Sequence, residues 1–157
     1  MKTLQFTTLY KEAEIAPASL WELWQIYRLE KACFPLDAWP VWDIFFVLTL
    51  PNIVRLKAVY AGRVVGFLVA ELKPGEDLAW IATFGVDPTC RQQGIGAALL
   101  QACERGLPAR RIRLSVRIGN EPAIRLYRHS GYQVSGTWPQ YYKGGEDALI
   151  MEKKLTG

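Results

Sequence analysis

The sequence is poor in the residues that usually hold metals or build disulfide frameworks. Its 157 residues include three cysteines and a single histidine. The cysteines, Cys33, Cys90 and Cys103, show no metal-ligand spacing. An odd number of scattered cysteines argues against a disulfide framework and for a reducing compartment. We therefore expect a protein without a bound metal.

Long apolar runs and targeting segments are also missing. The most apolar run, Val41 to Leu50, is too short to span a bilayer and carries Asp43, so a buried helix is the better interpretation. The first residues show no signal peptide. We expect a cytoplasmic protein that has no membrane partner.

The composition is typical of one globular domain. The chain is 50% hydrophobic and 22% charged, and no linker or repeat divides it, so residues 1–157 are interpreted as a single domain. The net charge is +4, and one short segment holds the arginines Arg105, Arg110, Arg111, Arg113 and Arg117. This cluster is either a solvated face or a surface that attracts a polyanion. A nucleic-acid partner is not expected, because no recognised binding module accompanies the charge.

Hydrophobic periodicity predicts a mixed α/β domain. Apolar runs predict strands at 4–9, 53–60, 64–71, 80–86, 111–118, 132–137 and 147–153. Helical spacing with capping residues predicts helices after Ser19, over 41–50, from Gly94 to Gly106, and between Asn120 and Gly131. The segment 34–40 is predicted to be a loop that exposes bulky apolar side chains.

A glycine-containing turn follows the buried strand at 80–86. The turn opens a helix at Gly94 and Gly96, which places free backbone N–H groups and a helix dipole at one point. This arrangement suits a phosphate-bearing ligand. A dinucleotide fingerprint is excluded because Leu99 stands where a third glycine or alanine is needed, and the Gly-Lys-Ser/Thr of a P-loop is absent. A tight strand-to-helix turn without a ligand remains the alternative.

Two blocks of sequence resemble the GNAT superfamily of acyl-CoA-dependent N-acetyltransferases. Residues 91–96, Arg-Gln-Gln-Gly-Ile-Gly, are similar to the family's pyrophosphate loop, Arg/Gln-x-x-Gly-x-Gly/Ala. Residues 120–132, Asn-x-x-Ala-x-x-Leu-Tyr-x-x-x-Gly-Tyr, are similar to its next block. The resemblance extends from about Ile53 to Leu155. Residues 141–151, together with Phe34 and Pro35, resemble the branch that acetylates ribosomal-protein alanine and other protein N-termini.

The resemblance implies a GNAT-like mixed sheet of about seven strands flanked by four helices. It also implies a splay between the fourth and fifth strands that binds acetyl-CoA. The thioester and pantetheine would contact the backbone of the fourth strand, and the pyrophosphate would contact the loop amides. The residues that the resemblance assigns to coenzyme A are Phe84, Gly85, Val86, Arg91, Gln92, Gln93, Gly94, Ile95, Gly96, Ala97, Asn120 and Tyr127.

The same resemblance assigns one catalytic residue and leaves another open. Tyr127 stands at the family's tyrosine position and is the expected general acid for the leaving thiolate. Ser115 stands where this branch often carries Glu or His, and Trp80 where some members carry a catalytic Tyr. Neither is a base at neutral pH, so we expect deprotonation through water, with Glu71 as the assigned base and Glu30 as another distant candidate. His129, near a predicted helix end, fits a structural role better than a catalytic one.

The expected activity is transfer of an acetyl group from acetyl-CoA to a primary amine, and the expected acceptor is a protein N-terminal α-amine. The residues that the resemblance places around the acceptor are Phe34, Pro35, Trp39, Trp80, Ser115, Tyr141 and Tyr142. A small-molecule amine is the alternative acceptor, and a catalytically weak acyl-CoA-binding regulatory module is the alternative class. The chain is expected to be a monomer or a homodimer.

Overall fold

A seven-stranded sheet organises residues 13–156, the part of the chain that the computed structural model describes. The strands are β1 (Glu14–Pro17), β2 (Ile53–Tyr60), β3 (Arg63–Lys73), β4 (Leu78–Val86), β5 (Arg111–Arg117), β6 (Gln133–Trp138) and β7 (Ala148–Lys154). The helices are α1 (Leu23–Cys33), α2 (Val41–Thr49), α3 (Ile95–Gly106) and α4 (Glu121–His129). Short 3₁₀ turns precede α1 and α3.

The strands lie in the order β1-β2-β3-β4-β5-β7-β6. Every neighbouring pair is antiparallel except β4 and β5, which are parallel. Parallel neighbours need a crossover connection, and α3 supplies it here. In this strand order, the parallel pair lies in the middle of the sheet, beside the start of α3.

Two apolar clusters cover the two faces of the sheet. The larger cluster packs α3 and α4 against the sheet and includes Leu68, Leu99 and Leu114, each at most 1% exposed. The smaller cluster packs α1 and α2 against Phe67 of β3. The alternation of β3 side chains explains this split, because Phe67 and Leu68 point to opposite faces.

Most of the predicted elements are confirmed, including the seven-stranded, four-helix architecture. The predicted strand at 4–9 lies outside the described residues. The structure adds β1, whose Glu-Ile-Ala-Pro sequence has too short a pattern to be recognised. Its backbone pairs with β2 from Glu14 opposite Val59 to Pro17 opposite Leu56, so pairing with a neighbouring strand makes it a strand.

Capping residues lie at the predicted helix ends, and the Ser19 box begins the 3₁₀ turn that leads into α1. The Glu22 carboxylate accepts hydrogen bonds from the Ser19 backbone N–H at 2.6 Å and from the Ser19 hydroxyl at 2.8 Å. The Asn120 side chain caps α4 by accepting from the Ala123 N–H at 3.3 Å. Gly131, just past α4, has φ +95°, which glycine adopts without strain.

One expectation about exposed residues is corrected, and the two alternatives for the arginine cluster are now distinguished. In the loop between α1 and α2, Leu36 is exposed, but Phe34 and Trp39 are half-buried because they pack against the smaller cluster. Four of the five clustered arginines pair with carboxylates: Arg110 with Asp77, Arg111 and Arg113 with Glu152, and Arg117 with Asp37 and Glu146. The charge is thus largely neutralised locally, which does not favour a polyanion-binding surface.

Within residues 13–156, no helix is long and apolar enough to cross a membrane.

Candidate active site

A cavity opens where β4 and β5 separate. The two strands pair only from Leu78 opposite Arg111 to Trp80 opposite Arg113, although both continue for several residues beyond. The cavity has a volume of about 470 Å³ and is lined by residues 81–84 of β4 and 114–117 of β5. The predicted splay between the fourth and fifth strands is confirmed.

A β-bulge in β4 changes which side chains face α1. Ala70 of β3 lies opposite Ile81, whereas Val69 lies opposite Thr83, so Ala82 has no partner. One extra residue inverts the alternation of the strand. Ile81 therefore joins the α3 and α4 face, while Thr83, only two residues later, contacts α1.

The glycine loop after β4 has the geometry that the sequence predicts. Gln92 and Gly94 have φ angles of +62° and +82°, and the first backbone bond of α3 runs from the Ala98 N–H to the Gly94 carbonyl at 3.0 Å. The N–H groups of residues 95–97 are therefore not used within the helix. Together with the positive end of the helix dipole, they favour an anion. A Cβ on Gly96 would lie 3.4 Å from the Phe84 ring, so the loop adjoins the cavity wall.

Tyr127 reaches the cavity from α4, on the α3 side of the sheet. It is 7% exposed and packs between Phe84 and Tyr132, with ring centroids 6.1 and 5.8 Å away. Burial raises the pKa of its hydroxyl. Tyr127 is therefore a neutral proton donor across the physiological pH range.

Glu30 reaches the same cavity from α1, on the opposite side of the sheet. It is only 1% exposed. Its carboxylate accepts from the Thr83 hydroxyl at 2.8 Å and from the Trp39 backbone N–H at 3.2 Å. Burial raises the pKa of Glu30 and outweighs these two hydrogen bonds, which lower it. A buried carboxylate with a raised pKa is suited to accept a proton near neutral pH.

Arg117, at the end of β5, joins the two loops that border the cavity. Its Nε donates to Asp37 of the α1–α2 loop at 2.9 Å, and its Nη1 donates to Glu146 of the β6–β7 loop at 3.0 Å. Its guanidinium also lies 4.7 Å from the ring centroid of Tyr142. Burial lowers the pKa of Arg117, but the contacts with Asp37 and Glu146 raise it further than burial lowers it. One permanent cation thus ties both loops together at this end of the cavity.

The predicted residues divide into three groups by position. Those that line the cavity are Phe34, Trp39, Phe84, Ser115, Asn120, Tyr127, Tyr141 and Tyr142. The glycine loop, residues 91–97, adjoins it at the start of α3. The predicted residues that do not line it are Pro35, Glu71, Trp80, Gly85 and Val86.

Glu71, the predicted base, is paired with a cation outside the cavity lining. It lies on β3, its side chain is 50% exposed, and its carboxylate is 3.1 Å from the Lys73 ammonium.

The backbone carbonyl of Val86, a predicted coenzyme A contact, already has two hydrogen-bond donors. It accepts from the Cys33 thiol at 3.3 Å and from Arg91 Nε at 3.2 Å. Burial raises the pKa of that thiol to about 11, so Cys33 is a neutral donor.

Several cavity residues were not singled out from the sequence. Asp37, Thr83 and Lys143 lie in it or at its edge only because a loop or a bulge brings them there. Arg117 carried a recognisable signal, since it shares a face of β5 with Ser115. His129 is exposed on the last turn of α4, and its Nδ1 lies 2.8 Å from the Arg125 carbonyl, in keeping with a structural role.

Comparison with known proteins shows which family the chain belongs to. The family model described as the acetyltransferase (GNAT) family matches residues 19–132. The chain therefore belongs to the GNAT acetyltransferase family, as its two sequence blocks predicted.

Individual relatives refine this placement. The chain is 31% identical to an N-alpha-acetyltransferase of Sulfurisphaera tokodaii, over 92% of this chain and 95% of that protein. It is 33% identical to the L-amino acid N-acetyltransferase AaaT of Escherichia coli, over 66% of this chain and 69% of that protein. In fold it matches the crystal structure of the ribosomal-protein-S18-alanine N-acetyltransferase of Escherichia coli, with a TM-score of 0.82, 24% identity, and coverage of 92% and 95% of the two chains.

Proposed function

We propose that this protein transfers the acetyl group of acetyl-CoA to the α-amine of a protein N-terminus. The observation that carries the proposal is the cavity between β4 and β5, which has a buried acid, Tyr127, on one side of the sheet and a buried carboxylate, Glu30, on the other. Amine acylation by a thioester needs both a proton donor and a proton acceptor. The similarity to an N-alpha-acetyltransferase over nearly the whole chain supports an N-terminal acceptor.

The residues near the splay fit coenzyme A. The free N–H groups of residues 95–97 and the dipole of α3 suit the pyrophosphate. Where β4 and β5 no longer pair, their facing main-chain groups are available to the pantetheine amides. When bound, acetyl-CoA supplies an acyl group activated as a thioester.

Glu30 is the proposed general base, in place of Glu71. An α-ammonium must lose a proton before its nitrogen attacks the carbonyl carbon. Glu30 takes that proton, directly or through a water molecule, because its pKa is raised and no cationic side chain pairs with it among its contacts in the described chain. The C–N bond then forms as the C–S bond breaks, and the nitrogen loses its second proton to water.

Tyr127 is the proposed general acid. Its hydroxyl gives a proton to the departing thiolate sulfur, and solvent later restores that proton and removes the one held by Glu30. Tyr127 is held firmly for this step, because its ring is packed against Phe84 and Tyr132. Both roles draw on residues already fixed by the fold, which is what pre-organised catalysis requires.

The loop residues around the cavity are proposed to hold the acceptor. Phe34 and Trp39 of the α1–α2 loop and Tyr141 and Tyr142 of the β6–β7 loop all line it. The Tyr142 hydroxyl donates to Ser115 Oγ at 3.2 Å, so Ser115 helps to orient Tyr142 and need not act as a base.

A thiol-release assay with acetyl-CoA tests the proposed function. The acceptors are peptides with a free N-terminus, the same peptides with a blocked N-terminus and an internal lysine, free amino acids and small amines. We expect turnover only with free N-termini, and tandem mass spectrometry should place the acetyl group on the α-nitrogen. Turnover of the blocked peptides at a similar rate would reject the α-amine assignment.

The same panel separates the alternatives. A free amino acid is the second candidate acceptor, and the similarity to an L-amino acid N-acetyltransferase favours it. Turnover of amino acids without turnover of peptides would establish that reading. Binding of acetyl-CoA without turnover of any acceptor would instead support a regulatory acyl-CoA-binding module.

A further inference from the structure

The side of the molecule formed by α1 and α2 carries a large exposed apolar surface, called here the α1–α2 face. Its six large apolar side chains, three of them tryptophans, lie on the 3₁₀ turn before α1, on α1, on α2 and directly after α2. They are Leu20, Trp21, Trp24, Trp42, Phe46 and Leu50, and their exposure ranges from 44% to 93%. None of them lines the cavity between β4 and β5.

The helical repeat of α2 places its part of the face on the outside of the molecule. Trp42, Phe46 and Leu50 follow one another at intervals of four residues, so they share one side of the helix. The buried residues Ile44 and Leu48 are on the other side and pack in the smaller cluster against the sheet. These exposed rings therefore have no partner among the elements that hold α2 in place.

The two helices present one continuous surface, because the turn before α1 and the end of α2 meet at Arg55 of β2. The Arg55 backbone carbonyl accepts from the Ala18 N–H at 3.0 Å, just before the turn, and its side chain donates to the Leu50 carbonyl. The 3₁₀ turn also contacts α2 itself. Since the loop at 34–40 joins the other ends of α1 and α2, the two helices run in opposite directions.

The area of the α1–α2 face equals one side of a stable protein interface. A large aromatic side chain buries about 150–250 Å², so six large apolar side chains at these exposures leave roughly 800 Å² open to water. The largest apolar patch on a typical monomer is about 300–600 Å². Each partner in a specific complex contributes about 800 Å².

The charges that border the face are complementary to each other. Arg28 on α1 and Asp43 on α2 are both exposed, and neither forms a salt bridge within residues 13–156. Arg28 follows Trp21 by seven residues, about 10 Å along a helix, and Asp43 precedes Leu50 by the same number. An antiparallel contact of α1 with α2 of a second copy that sets Trp21 beside Leu50 therefore also pairs these two charges.

We propose that the α1–α2 face is the interface of a twofold symmetric homodimer, in which α1 packs antiparallel on α2 of the second copy. Twofold symmetry forms the Arg28–Asp43 pair twice. A lipid surface would instead favour border charges that are all basic, whereas these two have opposite signs. Burial leaves the Thr49 hydroxyl satisfied, because it donates to the Phe45 carbonyl at 2.9 Å. The proposal is independent of the acetyl acceptor.

Sedimentation equilibrium of the full chain tests the interface. One copy has a mass of 17.8 kDa, and wild type at micromolar concentration should have twice that mass. Trp42→Glu places a charge in the contact and should raise the dissociation constant of the dimer by about 30-fold or more. Val134→Glu is the matched control, because Val134 is 46% exposed on β6, the edge strand remote from β2 and β3. It should leave the dimer unchanged, and far-UV circular dichroism shows whether each variant is folded.

A charge exchange tests the antiparallel arrangement. Arg28→Asp and Asp43→Arg should each weaken the dimer about tenfold, and the double variant should recover most of the affinity. A double variant no tighter than the single variants would overturn this arrangement. A dimer that persists in folded Trp42→Glu would place the contact elsewhere and overturn the proposal.

A monomeric wild type would also overturn the homodimer, and vesicles then distinguish the other occupants of the face. Co-sedimentation of the monomer with vesicles of phosphatidylcholine and phosphatidylserine, lost in Trp42→Glu, would assign the face to a lipid surface. A monomer that does not bind these vesicles would assign it to a different protein. None of these outcomes bears on N-terminal acetylation, which the thiol-release assay tests separately.

Discussion

Replacing Glu30 by glutamine should separate activity from stability. The substitution keeps the size and shape of the side chain. The amide oxygen can still accept from the Trp39 N–H, and the amide nitrogen can donate to the Thr83 hydroxyl, the two groups that contact the carboxylate at 3.2 and 2.8 Å. The proton-accepting charge is lost, however. Loss of a general base lowers the rate by about 10²- to 10⁴-fold, or about 3 to 5.5 kcal/mol of transition-state stabilisation.

Stability should change in the opposite direction. Burial raises the pKa of Glu30 above its ordinary value of 4.5. A carboxyl of this kind contributes its full stability below the unfolded pKa, and that contribution is lost as the pH rises through the folded pKa. Glutamine does not ionise, so Glu30→Gln removes this pH-dependent loss of stability. The variant should therefore be at least as stable as wild type at pH 7, with a difference that grows as the pH rises from 4.5.

The assay is kcat/KM against pH for wild type, Glu30→Gln and Thr83→Val. In wild type the rate should rise with pH as Glu30 ionises, with a midpoint above 4.5. Thr83→Val removes a hydrogen bond that lowers the pKa of Glu30, so that midpoint should move to higher pH while the plateau rate persists. A Glu30→Gln enzyme with a rate within a few-fold of wild type would refute the role of Glu30. An unmoved midpoint in Thr83→Val would refute the assignment of the rising limb.

Three further changes probe the acid, the loops and the glycine turn. Tyr127→Phe keeps the packing, so kcat should fall by about a hundredfold or more with little change in melting temperature; an unchanged single-turnover rate of thiol release would reject the acid role. Arg117→Met leaves the two carboxylates that it joins without their cation, so the KM of the acceptor should rise about tenfold while that of acetyl-CoA does not, with partial recovery in Arg117→Lys; equal changes in both KM values would contradict a loop-positioning role. Gly94→Ala forces a Cβ onto a residue with φ +82°. The free energy of unfolding, measured with denaturant, should therefore fall by about 1–2 kcal/mol, and acetyl-CoA should bind more weakly. Gly106→Ala is its control, because a Cβ there meets nothing within 4 Å; equal destabilisation of both variants would refute the strain argument.

The parts of the fold that local patterns specify were predictable. The apolar runs at 53–60 and 80–86, the cap at Asn120 and the glycine turn after β4 each depend on a few neighbouring residues, because strand alternation and capping are local effects. The strand β1 was not predictable in this way, since its four residues are a strand only through pairing with β2. The glycine turn that is proposed to bind acetyl-CoA was predictable from local sequence, because free amides at a helix start are a property of the turn itself.

The acceptor end depends on long-range contacts. Glu30 precedes Thr83 by 53 residues and Arg117 follows Asp37 by 80, so no local pattern reveals either pair. Glu71 and Glu30 are both candidates from the sequence, and only the packing of α1 against the sheet decides that Glu30 is buried in the cavity, whereas Glu71 on β3 is exposed. The sequence alone determined the family, the order of most of the elements and the glycine turn before α3. The tertiary structure decided which carboxylate is buried in the cavity, because burial and desolvation arise only when distant segments pack together.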